Sequence, residues 1–491
     1  MQYDSVIIGS GLSGLSSALL LARSGRSVLV LEQSPRPAPV VRGFSRGGHY
    51  FDSGFHYAGG LGAGGAFRPH FRHLGLEGKL ELFPFDAKAF DRLKVSATGE
   101  TFSIPVGFNA IKAELSKRFP EVRDRIVNYL DEVAREWSHY PYLDLDLAIG
   151  SPGLTAVHGP SLTERLHEFS AFPELQSLLS MHCLLYGISP DEAPVSLNTQ
   201  VAGSYYHSVH GIVGGGRAIV DALVNLLVSA GGEIRCKAQV TAIRTSAGAT
   251  SGVRLANGEE IEAKEVVATC NPCLIPDLLP QGVLRPAYLK RLRNLRQTPS
   301  AYIMFARSRQ PLDSLRGTNL FVQPQAGMFT ASTERPLEER PFYLTAADQG
   351  QGNESNALIG IIPASYAEVA EWESAGKRHS SGYKSQKEQT AQRLLNLFVT
   401  NCPELTDLEI LDFATPLTLK DYSLAPQGAI YGVGRFLGQY NPQPQTRLPG
   451  LYLSGQAIAA PGLLGTVIAS YLTCGSILGH EFLRGELKTC R

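Results

Sequence analysis

A glycine pattern near the N-terminus constrains this chain more than any other feature. A β-branched run at residues 4–8 is typical of a buried strand and leads directly into Gly9-Ser10-Gly11-Leu12-Ser13-Gly14. A helix-periodic stretch at 15–22 follows, and a second apolar strand at 28–31 ends in Glu32. Strand, GxGxxG, helix, strand and acid in this order predict a dinucleotide-binding βαβ unit, and therefore an α/β fold of Rossmann type.

Each glycine of the pattern has its own expected role. Gly9 allows a sharp turn, Gly11 leaves the backbone open to a pyrophosphate, and Gly14 permits close packing of helix and strand. The free N–H groups at the helix start favour the negative phosphates. Glu32 can accept hydrogen bonds from ribose hydroxyls and would repel a 2′-phosphate, so FAD or NAD is expected rather than NADP. A glycine-rich turn in an ordinary βαβ unit is the alternative, which the spacing, helix and acid together disfavour.

Composition narrows the classes of function. Lys plus Arg and Asp plus Glu both number 45, so a nucleic-acid partner, which needs a basic face, is not expected. Seven irregularly spaced cysteines in 491 residues predict a reducing compartment. Because the chain opens directly into the fingerprint strand, without room for a signal peptide, a cytoplasmic location is expected. The sequence has no run of about 18 or more apolar residues, so a membrane span is not expected. Peripheral contact with a membrane stays open.

Further elements are predicted from periodicity and turn residues. The patterns indicate helices over 121–140, from 189 onward, over 218–230 and over 465–479, and strands over 233–236, 239–243, 266–269 and 451–454. A hairpin is expected to turn at Asn257-Gly258. Three prolines between positions 35 and 39 are expected to keep residues 33–41 irregular. The late strand and helix look like a piece of the nucleotide domain that returns from far along the chain.

Three short segments carry a family resemblance. They are Phe-Asp-Ser-Gly-Phe-His-Tyr at 51–57, Tyr-Gly-Ile-Ser-Pro at 186–190 and Leu-Tyr-Leu-Ser-Gly-Gln at 451–456. With the fingerprint, they resemble the FAD-dependent amine oxidase and phytoene desaturase superfamily over nearly the whole chain, and within it the retinol saturases and carotenoid isomerases. The resemblance implies a discontinuous FAD-binding domain over 1–66, 205–280 and 411–491. An inserted α+β substrate domain is expected over 67–204 and 281–410.

The resemblance also implies which residues surround FAD. Residues 10–14 would meet the pyrophosphate, Glu32 the ribose, Arg42 the phosphates, and Val240 the adenine through its backbone. Gly455 and Gln456 would meet the ribityl chain, and residues 464–466 would direct helix N–H groups at the flavin, where they stabilise negative charge. The implied cofactor residues are Gly9, Ser10, Gly11, Leu12, Ser13, Gly14, Glu32, Gln33, Arg42, Val240, Gly455, Gln456, Leu464, Gly465 and Thr466.

Two positions depart from the family pattern. Val40-Val41 stand where the family usually has Gly-Gly, so this loop is expected to pass the cofactor with its side chains turned away. Gln456 stands where many members have Asp. An amide can still hydrogen-bond a hydroxyl, and the saturases share it, so this second departure bears on the subfamily more than on FAD.

His56 and Tyr57 are the candidate catalytic residues, because the family motif brings them towards the flavin and the pKa of histidine is readily tuned. A histidine that holds a loop and an aromatic that lines a pocket are the alternative. Tyr205, Tyr206, His207 and His210 are expected to pack rather than to line a tunnel. Cys270 and Cys273 lack a second pair at metal-ligand spacing, so no metal site is expected.

The resemblance implies an oxidoreductase that acts on CH–CH groups. The expected reaction is reduction or isomerisation of a C=C bond in a long conjugated apolar lipid, such as a carotenoid, a retinoid or another polyene or isoprenoid. Because the chain shows one dinucleotide fingerprint, electrons are expected to pass through a separate donor or acceptor. A desaturase, an amine-oxidising relative and a non-catalytic FAD-binding escort protein are the alternatives. The basic run at 290–296 is expected to coat a solvated helix, with contact to anionic lipid as its alternative.

Overall fold

Strands and helices alternate along much of the chain. The structure is a computed structural model that describes residues 2–149, 157–347, 355–374 and 380–491. The strands in these ranges are β1 (Gln2–Ile8), β2 (Val28–Leu31), β3 (Phe44–Arg46), β4 (His49–Phe51), β5 (Ala58–Gly59), β6 (Leu82–Pro84), β7 (Asp91–Val95), β8 (Thr101–Ile104), β9 (Val209–Ile212), β10 (Glu233–Arg235), β11 (Val240–Ser246), β12 (Ala249–Leu255), β13 (Glu260–Ala268), β14 (Ser300–Arg307), β15 (Asn319–Gln323), β16 (Phe342–Ala346), β17 (Ala357–Ala364), β18 (Glu409–Ala414) and β19 (Leu451–Leu453).

The helices connect and cover these strands. In the same ranges they are α1 (Leu12–Arg23), α2 (Pro39–Arg42), α3 (Arg68–His73), α4 (Phe108–Arg118), α5 (Arg123–Glu136), α6 (Leu162–Leu166), α7 (Pro173–Ser180), α8 (Val195–His207), α9 (Gly215–Ser229), α10 (Ile275–Leu278), α11 (Pro286–Arg293), α12 (Ala370–Ser374), α13 (Ser381–Asn401), α14 (Pro416–Ser423), α15 (Gly462–Leu478) and α16 (His480–Lys488). None of the described helices is both long and apolar enough to cross a bilayer.

The first large sheet is built on the fingerprint strand. Its order is β10-β2-β1-β13-β12-β11, and β19 also pairs with β13. The pairs β10/β2, β2/β1, β1/β13 and β13/β19 are parallel, whereas β11 and β12 are antiparallel to their neighbours. Ile8 aligns with Leu31 and with Ala268, which in turn aligns with Leu453. The carboxyl ends of four strands therefore meet at one edge, where α/β sheets bind their ligands.

The second large sheet has the order β18-β14-β17-β16-β15-β7-β8. Its pairs are antiparallel except β15/β7, which are parallel with Asn319 opposite Asp91. β18 covers Glu409–Ala414 and pairs with β14, so a domain boundary at residue 411 falls inside a strand of this sheet. The division into a cofactor domain and a substrate domain stays a prediction.

Helix α1 joins the two ends of the chain. It packs against α9 and α15. Its leucines Leu15, Leu19 and Leu21 are fully buried, and burying each contributes about 2 kcal/mol. The Ser13 hydroxyl lies 2.7 Å from the Ser454 hydroxyl after β19. The N-terminal fingerprint and the C-terminal segment are therefore held together by direct contact.

Two local predictions were wrong. Residues 189–193 form a turn closed by the Ala193 N–H donating to the Ser189 carbonyl, and the helix begins only at Val195. Pro194 explains this, because a proline disfavours helical backbone at the residue before it. Within 33–41, the expected irregular stretch ends in the single-turn helix α2, which starts at Pro39. Proline is tolerated there because the first helical turn needs no N–H from it.

Candidate cofactor and substrate site

A cavity of about 910 Å³ lies at the carboxyl edge of the first sheet. The first helix begins beside it, and segments from the middle and the end of the chain complete its wall. Of the sequence-predicted site residues, those that line it are Gly9, Ser10, Gly11, Leu12, Ser13, Glu32, Gln33, His56, Val240, Gly455, Gln456 and Thr466. Residues from three distant parts of the sequence therefore face one space.

The fingerprint glycines occupy different environments. Gly9 has a φ of +98°, which turns the chain out of β1. A Cβ on Gly14 would stand 2.1 Å from the Gly9 carbonyl oxygen, so only glycine allows α1 this close to the turn. A Cβ on Gly11 would meet no atom within 4 Å, and this residue lines the cavity. Among the residues that the structure describes, no side chain caps the start of α1, so its first N–H groups are free for an anion.

The Glu32 carboxylate is buried and fastens the fingerprint loop. Its Oε2 accepts hydrogen bonds from the Ser10 N–H at 3.0 Å and the Ser10 hydroxyl at 2.6 Å, and its Oε1 accepts from the Ser34 N–H at 2.8 Å. The Ser10 hydroxyl also accepts from the Ala38 N–H at 2.8 Å. Oε2 already accepts two hydrogen bonds and Oε1 accepts one, so Oε1 can accept a further bond, and the same group can hold the loop and meet a ribose.

Arg42 does not line the cavity. Its guanidinium donates to the Asp221 carboxylate on α9 at 2.6 Å and to the Pro37 carbonyl at 3.2 Å. Val40 and Val41 both contribute to the cavity wall. The Val40 side chain lies against Gly54. A Cβ added to Gly54 would stand 3.2 Å from the Val40 Cγ1 atom. The structure therefore directs the basic group of this loop towards α9 rather than towards the space at the fingerprint.

The C-terminal segment bounds a second, smaller space. Helix α15 begins at Gly462, and a Cβ on Gly465 would stand 2.2 Å from the Ala460 carbonyl oxygen. Leu464, Gly465 and Tyr57 line a side cavity of about 60 Å³, whereas Thr466 lines the main cavity. The two cavities share Gly462 and Leu463, so the start of α15 lies at their junction.

His56 lines the main cavity beside Tyr343, with 5.8 Å between the ring centroids. Among the described residues, no group forms a hydrogen bond with its ring. Burial lowers the pKa of His56 to about 4, so the ring is neutral at pH 7. A neutral histidine can accept a proton in this position, but it donates one only after it is protonated.

Tyr57 faces the side cavity, and its hydroxyl donates to the Asp91 carboxylate at 3.1 Å. Burial and then the charge of Asp91 raise the pKa of Tyr57 well above its usual value. Sequence reasoning missed Asp91. Its signal is the alternation in residues 91–95, which puts Asp91 on the same strand face as Leu93 and Val95 and therefore on the buried face.

The other candidate residues have mostly packing partners. Tyr205 lines the side cavity and packs 4.6 Å from the Tyr57 ring, measured between centroids. The His207 ring lies 5.4 Å from Trp137. Cys273 accepts a hydrogen bond from the Gln297 amide at 3.1 Å. Across the described ranges, no cluster of three or more His, Cys, Asp or Glu side chains could hold a metal ion.

One protein family matches most of the chain. The profile of the family described as "Flavin containing amine oxidoreductase" matches residues 12–471. The chain belongs to this family. Its membership confirms the predicted resemblance and FAD as the cofactor, and the α/β FAD-binding fold class is confirmed together with the solved structures. Gly11, Val240 and Gly455 all line the main cavity.

Individual relatives match all or part of the chain. The chain is 28% identical to the human "All-trans-retinol 13,14-reductase" over 99% of this chain and 87% of the relative. It is 27% identical to the carrot "Prolycopene isomerase, chloroplastic" over 54% of this chain and 46% of the relative. An oxidoreductase from Methanosarcina mazei has a similar fold, with a TM-score of 0.68 at 18% identity, covering 97% of this chain and all of the other.

Proposed function

We propose that this flavoprotein reduces or isomerises a C=C bond in a long conjugated apolar lipid, such as a retinoid or carotenoid. One observation carries the proposal: the cavity that begins at the fingerprint continues between apolar side chains of the second sheet, including Ile303, Phe305 and Ile361. The names of the reductase and isomerase relatives support the same chemistry. Saturation is favoured over desaturation by the name of the human retinol reductase, which aligns over 99% of this chain.

The residues present fit FAD. The uncapped start of α1 and the open side of Gly11 suit a pyrophosphate, Glu32 suits a ribose, and the uncapped start of α15 suits an electron-rich ring. Bound FAD supplies hydride exchange with carbon. The protein itself encloses an apolar chain, excludes water and supplies or accepts one proton.

His56 is the proposed site of proton exchange with the substrate. Saturation requires a proton donor, and the low pKa of His56 confines its acid form to acidic pH. If His56 donates the proton, the rate of reduction should rise as the pH falls towards 4, and His56→Gln should abolish that rise. A rate that stays independent of pH in both proteins would assign the proton to another group.

An anaerobic assay with all-trans-retinol and a cis-carotenoid tests the reaction. FAD-loaded protein reduced with dithionite should shift the polyene absorption to shorter wavelength if it saturates a bond. It should change the isomer profile without a change of mass if it isomerises. Glu32→Ala serves as the control, because loss of FAD should remove either effect. A fully FAD-loaded protein that alters neither substrate would contradict the proposal and favour a binding protein.

The electron partner and the route of the substrate belong to the same proposal. We infer a separate donor or acceptor from the single fingerprint in the sequence, and a cytoplasmic location from the cysteine usage. Peripheral membrane contact is supported by Tyr422 and Leu424, which line the cavity and are 61% and 41% exposed. Replacing both by serine should reduce co-flotation with liposomes, while Val228→Ser, an exposed site outside the cavity lining, should not.

A further inference from the structure

A buried carboxylate links the two cavities. Asp91, at the start of β7, is fully buried, and its Oδ2 accepts hydrogen bonds from the Tyr57 hydroxyl at 3.1 Å and the His182 Nε2–H at 2.9 Å. Its Oδ1 accepts from the Asn319 amide at 2.8 Å. The Asn319 side-chain Oδ1 in turn accepts from the Tyr343 hydroxyl at 2.8 Å. Nothing in the cofactor site or in the proposed proton transfer uses this network.

The network contains one carboxylate. Three donors satisfy the carboxylate of Asp91, so it needs no contact with water. Among the described residues, the only basic side chain within ion-pair distance is that of His182. The His182 Nδ1 atom is buried without a hydrogen-bond partner.

The Asp91 carboxylate lies behind the aromatic walls of the two cavities. The Tyr343 ring lines the main cavity, and the Tyr57 and Tyr205 rings line the side cavity. The hydroxyls of Tyr57 and Tyr343 are turned into the network, so each ring lies between the cavity and the polar groups. Burial and then Asp91 raise the pKa of both tyrosines.

We propose that Asp91 is a specificity-determining residue that makes this pocket favour a conjugated chain carrying positive charge. The inference rests on the proposed function and names the state of the substrate that the pocket stabilises. A conjugated chain that gains a proton or loses a hydride acquires one positive charge spread over its carbons. The buried carboxylate behind the rings stabilises that state over the neutral and anionic forms.

Matched dyes test the charge preference without turnover. A cationic polymethine with dimethylamino ends and an anionic oxonol of equal chain length spread opposite charges over the same shape. FAD-loaded protein should bind the cation at least about tenfold more tightly than the anion, since the protein interior screens the charge of Asp91 less than water does. Asp91→Asn, which keeps an acceptor oxygen, should bring the two dissociation constants to within about threefold of each other.

Two control variants separate charge from shape. Tyr343→Phe keeps the ring and the charge of Asp91, so the cation preference should remain. Glu338→Gln removes an exposed carboxylate that lines neither cavity and pairs with Arg393, and solvent screening should leave the ratio of dissociation constants unchanged.

Failure of this inference is distinct from failure of the proposed function. Equal binding of the two dyes by the unmodified protein overturns the inference even if Asp91→Asn does not fold. An Asp91→Asn protein that folds and keeps the cation preference also overturns it. Absence of all-trans-retinol binding and conversion counts against the proposed function, whereas the ratio between the dyes still reports the charge of the pocket.

Discussion

At the scale of single residues, Gly11 and Gly14 lie three positions apart and have different roles. A Cβ on Gly14 meets the backbone of Gly9, whereas a Cβ on Gly11 points into open space at the cavity. We expect Gly14→Ala to destabilise the protein by about 1–3 kcal/mol even without FAD, because the helix must move away from the turn. Gly11→Ala should leave the melting temperature of the apoprotein unchanged and weaken FAD binding. Thermal unfolding and FAD titration of both variants check this, and equal loss of stability would contradict it.

His56 also predicts a pH dependence of stability. Its pKa is lowered to about 4 by burial, so the unfolded chain binds a proton near pH 6.5 that the folded chain does not. The free energy of unfolding therefore falls as the pH drops from about 6.5 towards 4. His56→Gln should remove about 2 kcal/mol of the loss between pH 7 and pH 5, measured by urea unfolding. The exposed His158 offers a control, since His158→Gln should leave the pH dependence as it is.

At the scale of elements, a loop caps a helix that lies far along the chain. The Asp52 carboxylate accepts hydrogen bonds from the Gly216 N–H at 2.7 Å and the Tyr50 hydroxyl at 2.8 Å. The Tyr50 hydroxyl accepts from the Arg217 N–H at 3.1 Å. The acid of the 51–57 motif therefore meets the start of α9, where negative charge is favourable.

Replacing this cap should loosen both elements. We expect Asp52→Ala to lower the free energy of unfolding by about 1–2 kcal/mol, because the N-terminal N–H groups of α9 lose their acceptor. Asp52→Asn keeps an acceptor oxygen and should lose less. Urea unfolding measures the energies, and hydrogen exchange at residues 215–217 locates the change. Unaltered exchange there in Asp52→Ala would show that the contact does not support the helix.

At the scale of the whole molecule, the convergence of distant segments predicts a concerted response to FAD. Binding should slow hydrogen exchange together at residues 9–13, 238–240 and 455–466, because all three line one cavity. At a FAD concentration of a hundred times the Kd, binding should also increase the free energy of unfolding by about 2.7 kcal/mol, which raises the melting temperature. Helix α5, which lines neither cavity, is the internal control and should not respond. Protection confined to residues 9–13 would contradict a shared site.

Local sequence determined the first βαβ unit, the glycine roles and the acid at the end of β2, because each follows from backbone geometry within about thirty residues. The family patterns also indicated the returning C-terminal strand and helix. Two local errors, at residues 189–194 and 39–42, came from reading proline without its exact place in a turn.

Tertiary structure alone decided which side chains meet. Arg42 has a basic side chain that suits a phosphate, yet Asp221, 179 residues away, holds its guanidinium. Asp91 sits in no motif, and its partners Tyr57, His182 and Asn319 come from three other parts of the chain. Backbone preferences act between neighbours and are written in short stretches of sequence. A buried charge is satisfied only by whatever the folded sheets bring within hydrogen-bond distance, and no pattern along the chain encodes that distance.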